Sequence, residues 1–311
     1  MRDDRISRVA VCLLAAAVVL AWSGSARAQA APAGKVLIRP IYREGQALRY
    51  HLKLSGAAAW TPKLEGFRWG KMATDFTFVL AAKTLRNSGA CTFRLLGEQL
   101  RSTGEGPDGA AGVEADRQRS RIKVRNRWEV WSDRTPLTRP MTMTFGPRGA
   151  FRFGTGLLPV AIYMLPAVDH RFWTVLTVAP GKQVAPGDKW EDAFQFPVPG
   201  APGTPLKLTA RWEVLDWRTY RKQRVLAIGL RAGLDLKDSP LILKNGDRVH
   251  VTSGTYDAAG EVLWDPTNGL LCSATARQKI LAKVDKPVAR ALRSEFKSSL
   301  KLLEAKKPPT R

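Results

Sequence analysis

The chain has 311 residues, 50 Lys and Arg against 27 Asp and Glu, and a formal net charge of +23. That length suits one large β domain or two ordinary domains. The charge draws a protein toward anionic polymers and surfaces without specifying a fold, and three cysteines exclude a scaffold framed by disulfides.

Residues 1–28 have the grammar of a secretory signal peptide. Arg2, Arg5 and Arg8 give the positive start, Val9 to Trp22 the apolar centre, and Ala26 to Ala28 the small residues before a cleavage point. The apolar run is shorter than the roughly 20 residues of a membrane-spanning helix. Cys12 lacks the small-residue box that precedes a lipid anchor. Cleavage after Ala28 removes four Arg and two Asp, leaving 46 cations against 25 acids on 283 residues, a net of +21. The expectation is a periplasmic or extracellular protein that does not span the membrane after cleavage.

From residue 29 to 304 the apolar side chains recur in steps of two, the period of half-buried strands. Leu48, Tyr50, Leu52 and Leu54 share one side of their segment, and Phe76, Phe78, Leu80 and Ala82 share one side of the next. The chain turns at Arg86 to Gly89 into "ACTFRLLGEQL", which completes a hairpin. A Gly- and Ala-rich loop then leads to "RQRSRIKVRNRWEVW", residues 117 to 131.

In that stretch Arg117, Arg119, Arg121, Lys123, Arg125 and Arg127 all occupy alternate positions, with Ile122, Val124, Trp128 and Val130 on the side expected to enter the core. On a single strand the cations make a stripe about 33 Å long, at roughly 6.6 Å per same-face step. One reading is a solvated edge that discourages strand-to-strand aggregation. The other is a rail for a linear anion, and five Arg to one Lys suits bidentate phosphate or carboxylate contacts. Arg218 and Arg221, beside aromatics in "WRTYRKQR", extend the candidate patch. Export makes an anionic envelope polymer or lipid head groups the expected partner, ahead of nucleic acid.

"MTMTFGPRGAFRF" is a second hairpin turning on Gly146 to Gly149. Gly154 to Val168 carries no charge, and Pro159 suits the first turn of a short helix. This segment is a core plug or the lining of an apolar pocket for a hydrophobic ligand, through Leu157, Leu158, Ile162, Met164 and Leu165. The later half resumes alternation, with a turn at Asn245-Gly246 and another through Asp265 to Gly269. Val288 to Glu304 fits either period; strand is preferred because the preceding segment alternates, and 305–311 is left as a disordered basic tail. Trp128, Trp190, Trp212 and Trp264 sit within alternating strands and are expected in the core. The expected fold is all-β: a large curved antiparallel sheet or incomplete barrel in one domain, with one short apolar plug helix.

A turn glycine followed three residues later by a large apolar residue occurs twice, as Gly45 with Leu48 and Gly187 with Trp190. Two halves, 35–153 and 171–304, are therefore candidate copies of one plan. Cys91 and Cys272, 181 residues apart, both fall on apolar sides. An oxidising compartment permits a bridge between them, while two free buried thiols is the preferred reading.

The opening Val184-x-Pro186-Gly187-Asp188-x-Trp190 resembles a motif of uncharacterised, secreted, β-rich bacterial envelope proteins. So does the later hairpin carrying Gly254, Tyr256, Asp257, Gly260, Trp264, Asp265 and Gly269. The resemblance implies an antiparallel sheet curled around an apolar interior, and it brings no activity with it. A more distant similarity in plan is to periplasmic half-barrel carriers of lipoproteins and lipids, with no binding residue in common.

Catalytic parts are scarce. His51 and His250 alternate away from apolar neighbours, and His170 follows Asp169 without a nucleophile elbow nearby. No Cys-x-x-Cys, His-x-His or His-Glu-x-x-His spacing marks a metal site, no phosphate loop is present, and no cofactor is expected. The leading reading is an exported, non-catalytic binding or carrier protein of the cell envelope, with an apolar interior and a basic face. The rivals are a structural envelope protein that binds anionic polymer through its basic strand, and a hydrolase whose acids the sequence does not single out.

Overall fold

A computed structural model of the chain describes residues 34–61, 70–106, 109–124, 127–132, 137, 141–146, 151–153, 179–198, 201–242, 248–285 and 290–306. The chain divides into Met1–Lys35 and Val36–Arg311, and every strand belongs to the second unit. The first strands are β1 (Val36–Leu37), β2 (Ala47–Thr61), β3 (Lys71–Leu85), β4 (Cys91–Gly106), β5 (Gly109–Ala115) and β6 (Ser120–Val124). Next come β7 (Arg127–Ser132), β8 (Met141–Phe145), β9 (Phe151–Phe153), β10 (Gln183–Val184) and β11 (Lys189–Val198). The last are β12 (Ala201–Tyr220), β13 (Gln223–Asp235), β14 (Ser239–Ile242), β15 (Arg248–Asp265), β16 (Leu270–Val284) and β17 (Arg290–Lys306).

β1 pairs with β10, and the other fifteen strands form one antiparallel sheet. Its path runs β11-β12-β13-β15-β16-β17-β2-β3-β4-β5-β6-β7, with β14 on β15 and the β8–β9 hairpin on β4. β11 and β7 end the path without meeting, so among the described residues the sheet is not closed into a barrel. The fold is thus the large antiparallel β structure that alternation implies. The expected plug helix, with Leu157, Leu158, Ile162, Met164 and Leu165, lies outside the described residues. No helix among them is long and apolar enough to cross a membrane.

Alternation becomes burial strand by strand. Phe76, Phe78, Leu80 and Ala82 are buried on β3, and Ile228, Leu230 and Ala232 on β13, while Arg231 between them faces outward. β17 is a strand, inserted between β16 and β2, so the last strand joins the second half of the chain to the first. It extends into the expected tail because Ala305 and Lys306 still pair with Leu48 and Ala47.

The two glycine openings share more than sequence. Gly45 N–H donates to Ala82 O, Ala82 N–H to Gln46 O, Gln46 N–H to Arg43 O, and Arg43 N–H to Gln46 Oε1. In the second opening, Gly187 N–H donates to Val214 O, Val214 N–H to Asp188 O, Asp188 N–H to Ala185 O, and Ala185 N–H to Asp188 Oδ2. Both glycines have positive φ, 76° and 91°, where a side chain is strained. The register continues to match: Ala47 pairs with Ala81 as Lys189 pairs with Glu213. A bulge follows Ala82 in one hairpin and Val214 in the other. Leu48 opposite Leu80 becomes Trp190 opposite Trp212, stacked with ring centroids 5.7 Å apart. The motif residues Val184 to Trp190 therefore serve turn geometry and packing.

Candidate functional site: a basic row on the outer face

The basic stretch is two strands, not one. β6 and β7 pair with Val124 opposite Arg127, so the chain reverses direction between them. A reversal over two residues inverts the parity of alternation. Arg121 and Lys123 consequently share a side with Trp128 and Val130, and the Arg121 guanidinium sits 4.9 Å from the Trp128 ring centre. Trp128 and Val130, expected in the core, are 36% and 81% exposed. Arg127 falls on the opposite side, and Arg125 lies outside the described residues. Arg117 and Arg119 belong to the turn before β6, where Asp116 Oδ1 accepts the N–H groups of Gln118 and Arg119, each at 2.8 Å. The Arg119 N–H, and after it that of Gln118, hold the Asp116 carboxyl below its ordinary value.

Arg117 and Arg121 have acidic partners on β4 and β5, and Arg119 has one within its own turn, while Lys123 and Arg127 make no ion pair among the described residues. Register sets Arg121, Glu114, Arg101, Asp75 and Lys53 in one line across β6, β5, β4, β3 and β2, alternating in sign. Arg121 and Arg101 both reach Glu114, and Lys53 reaches Asp75. Arg117 pairs with Glu98 at 2.9 Å and Arg119 with Asp116 at 3.5 Å. Arg218 is held by Asp216 and Glu261, at 2.8 and 2.7 Å. Arg221 donates to the carbonyls of Leu302 and Leu303, at 2.6 and 3.2 Å. Arg221, at the β12–β13 turn, holds the end of β17, and β12 lies nine strands from β6 along the sheet path.

A different set of cations converges. Arg211, Arg231, Ala259, Arg277 and Lys297 occupy one row across β12, β13, β15, β16 and β17. Small side chains let the long ones wall a depression. Arg211, Arg231, Arg277 and Lys279 surround a hollow of about 570 Å³ over Gly233 and Ala259. The neighbouring hollow, about 440 Å³, has Lys53, Arg101 and Lys297 around Ser55, Ala73 and Thr103. Arg211 pairs with Glu191 at 2.6 Å, both exposed, and the exposed Arg277 pairs with the partly buried Glu295 at 2.7 Å. Exposed pairs of this kind contribute about 0–1 kcal/mol each, so an incoming anion can replace those carboxylates. Arg231, Lys279 and Lys297 make no ion pair among the described residues. No run of cations in the sequence marks this row, because each member comes from a different strand.

The opposite side of the sheet is packed. Phe93 meets Tyr42 and Phe145 edge to face, at 5.0 and 5.2 Å between centroids, and Tyr42 lies tilted against Phe145 at 5.9 Å. They join Tyr50, Leu80 and Trp264 around an apolar cavity of about 40 Å³. Tyr50 Oη donates to Leu271 O at 3.1 Å within this core. Cys91 and Cys272 are separate buried thiols. Burial, then the charge of Glu44, pushes Cys91 from 9.0 up to about 11. Burial, then the charge of Asp265, does the same for Cys272. At pH 8 this leaves about a hundredfold less thiolate than an exposed thiol has. A thiol reagent should therefore modify neither cysteine at pH 8 until the chain is unfolded. An unfolded, unreduced chain lacking free thiol would show a bridge instead. With folded pKa values above the unfolded one, the unfolded chain releases these protons first. Their contribution to stability is thus intact below pH 9 and lost as pH climbs to about 11, which urea unfolding at pH 8 and pH 11 measures.

His51 Nε2 lies 2.6 Å from Asp75, and His250 Nδ1 lies 3.3 Å from Asp285, both on strand surfaces. His170 lies outside the described residues. Among the described residues no group of three or more His, Cys, Asp or Glu side chains converges on a metal position.

No protein family and no curated protein matches the chain. Among solved structures, one of lipovitellin, described by its lipid–protein interactions, is similar over 87% of this chain, at 11% identity and a TM-score of 0.43. The likeness covers 26% of the lipovitellin chain.

Proposed function

We propose that the mature chain is an exported, non-catalytic module of the cell envelope that binds anionic polymer or lipid head groups on the outer face of its sheet. The observation that carries this reading is the row Arg211, Arg231, Arg277 and Lys297, held in register on four strands beside side chains too small to obstruct a ligand. A rigid sheet positions these groups before the ligand arrives, which lowers the ordering cost of binding. Export rests on the pattern of residues 1–28.

Replacing the four cations together by Ser should abolish retention on a heparin column, or shift elution to much lower salt. Such contacts weaken as the screening length shortens, about 8 Å at physiological salt. Replacing Arg117, Arg119 and Arg127 should alter elution little. Unchanged retention of the fourfold variant removes the proposal.

A hydrophobic cargo is the second reading, favoured by the apolar cavity beside Tyr42 and Tyr50. Its 40 Å³ is small against the roughly 150 Å³ that accommodates benzene. Such a cargo depends on Leu157, Leu158, Ile162, Met164 and Leu165, outside the described residues.

A further inference from the structure

We infer that the basic row is a two-part clamp for a glycan with an anionic group at each end, of the kind formed by the bis-phosphorylated disaccharide head group of an envelope glycolipid. This rests on the proposed role of the row as the anion site, and names what it takes.

The cations are not evenly spread. Arg211 and Arg231 are direct cross-strand neighbours on β12 and β13, and Arg277 and Lys297 are direct neighbours on β16 and β17. Between the pairs runs β15, whose outward side chains are Asp257, Ala259 and Glu261. Strands lie about 4.8 Å apart, so the centres of the two pairs are three strand spacings, or about 14 Å, from one another. Each pair contains one cation without an ion pair among the described residues, Arg231 in the first and Lys297 in the second.

The middle strand selects the ligand. Asp257 is exposed, has no ion pair among the described residues and borders the same hollow as Ala259. Its carboxylate repels an anion placed over β15 and accepts hydrogen bonds from hydroxyl groups. A uniformly charged strand, such as a nucleic acid, would put phosphates over this acid. A sugar pair with charge only at its ends puts hydroxyls there instead. Arginine at both ends suits phosphate, whose oxygens its planar fork can contact in pairs.

The test uses the mature protein and neutral phosphatidylcholine vesicles doped with bis-phosphorylated lipid A or with its monophosphoryl form. Loss of one phosphate should weaken binding about tenfold or more, the scale of a charge-assisted contact. With Arg277 and Lys297 both replaced by Ser the two lipids should bind alike, because only one end of the clamp, Arg211 and Arg231, remains. Asp257→Asn should strengthen binding of a single-stranded oligonucleotide. Equal affinity of the unaltered protein for both lipids, or tighter binding of the oligonucleotide than of bis-phosphorylated lipid A, overturns the clamp. If heparin retention still depends on the four cations in that case, the broader anion-binding role stands. If retention is also indifferent to them, both fall.

Discussion

Replacing Gly260 by Val should destabilise the protein by about 3 kcal/mol or more and lower its thermal midpoint by roughly 10 °C. Gly260 sits on β15 between Leu230 and Ala276 of the flanking strands, on the packed side of the sheet. A Cβ there would lie 2.3 Å from the Thr275 carbonyl oxygen and 2.9 Å from the Ala276 Cβ. The nearest obstacle is backbone, which cannot swing aside as a side chain would. β15 and β16 would have to separate locally, sacrificing ladder hydrogen bonds near the middle of the sheet. Ala259→Val is the control. It is one residue away on the same strand but faces solvent, and should change stability by about 0.5 kcal/mol at most. Similar melting of both variants would show that β15 does not approach β16 this closely.

Phe93→Ala should cost about 3–5 kcal/mol, the range for removing a buried aromatic side chain. Phe93 is 1% exposed and packs edge to face against both Tyr42 and Phe145. It also lines the 40 Å³ cavity, so the space left by its ring would merge with one already present. Cavities of that kind remain dry and admit small apolar guests. Benzene should accordingly raise the thermal midpoint of Phe93→Ala and leave that of the unaltered protein where it was. A variant that loses stability without responding to benzene would mean that the aromatic cluster collapses into the gap.

The strands were legible because one side of most of them is buried, which forces an apolar residue at every second position. Hairpins at Arg86 to Gly89 and at Asp265 to Gly269 were legible for a further reason, the concentration of turn-forming residues between alternating runs. The stretch 117–131 misled because period two is blind to a reversal. Six cations at odd positions look alike whether the chain continues or folds back, yet folding back moves Arg127 to the other side and brings Trp128 and Val130 into solvent. The basic row was illegible for the complementary reason. Arg211, Arg231, Arg277 and Lys297 are spread over 87 residues of sequence, and only the pairing of five strands aligns them. Register of this kind is set by bulges and turns, which single-strand patterns do not encode.

The matched openings at Gly45 and Gly187 have a consequence for how specificity arises. Arg211 opposite Arg231 in the second hairpin corresponds, through the same register and the same bulge, to Val79 opposite Leu96 in the first. One frame thus tolerates either an aliphatic pair or a guanidinium pair at the same location, since that location faces away from the packed interior. New ligand preferences can be written there without renegotiating the core.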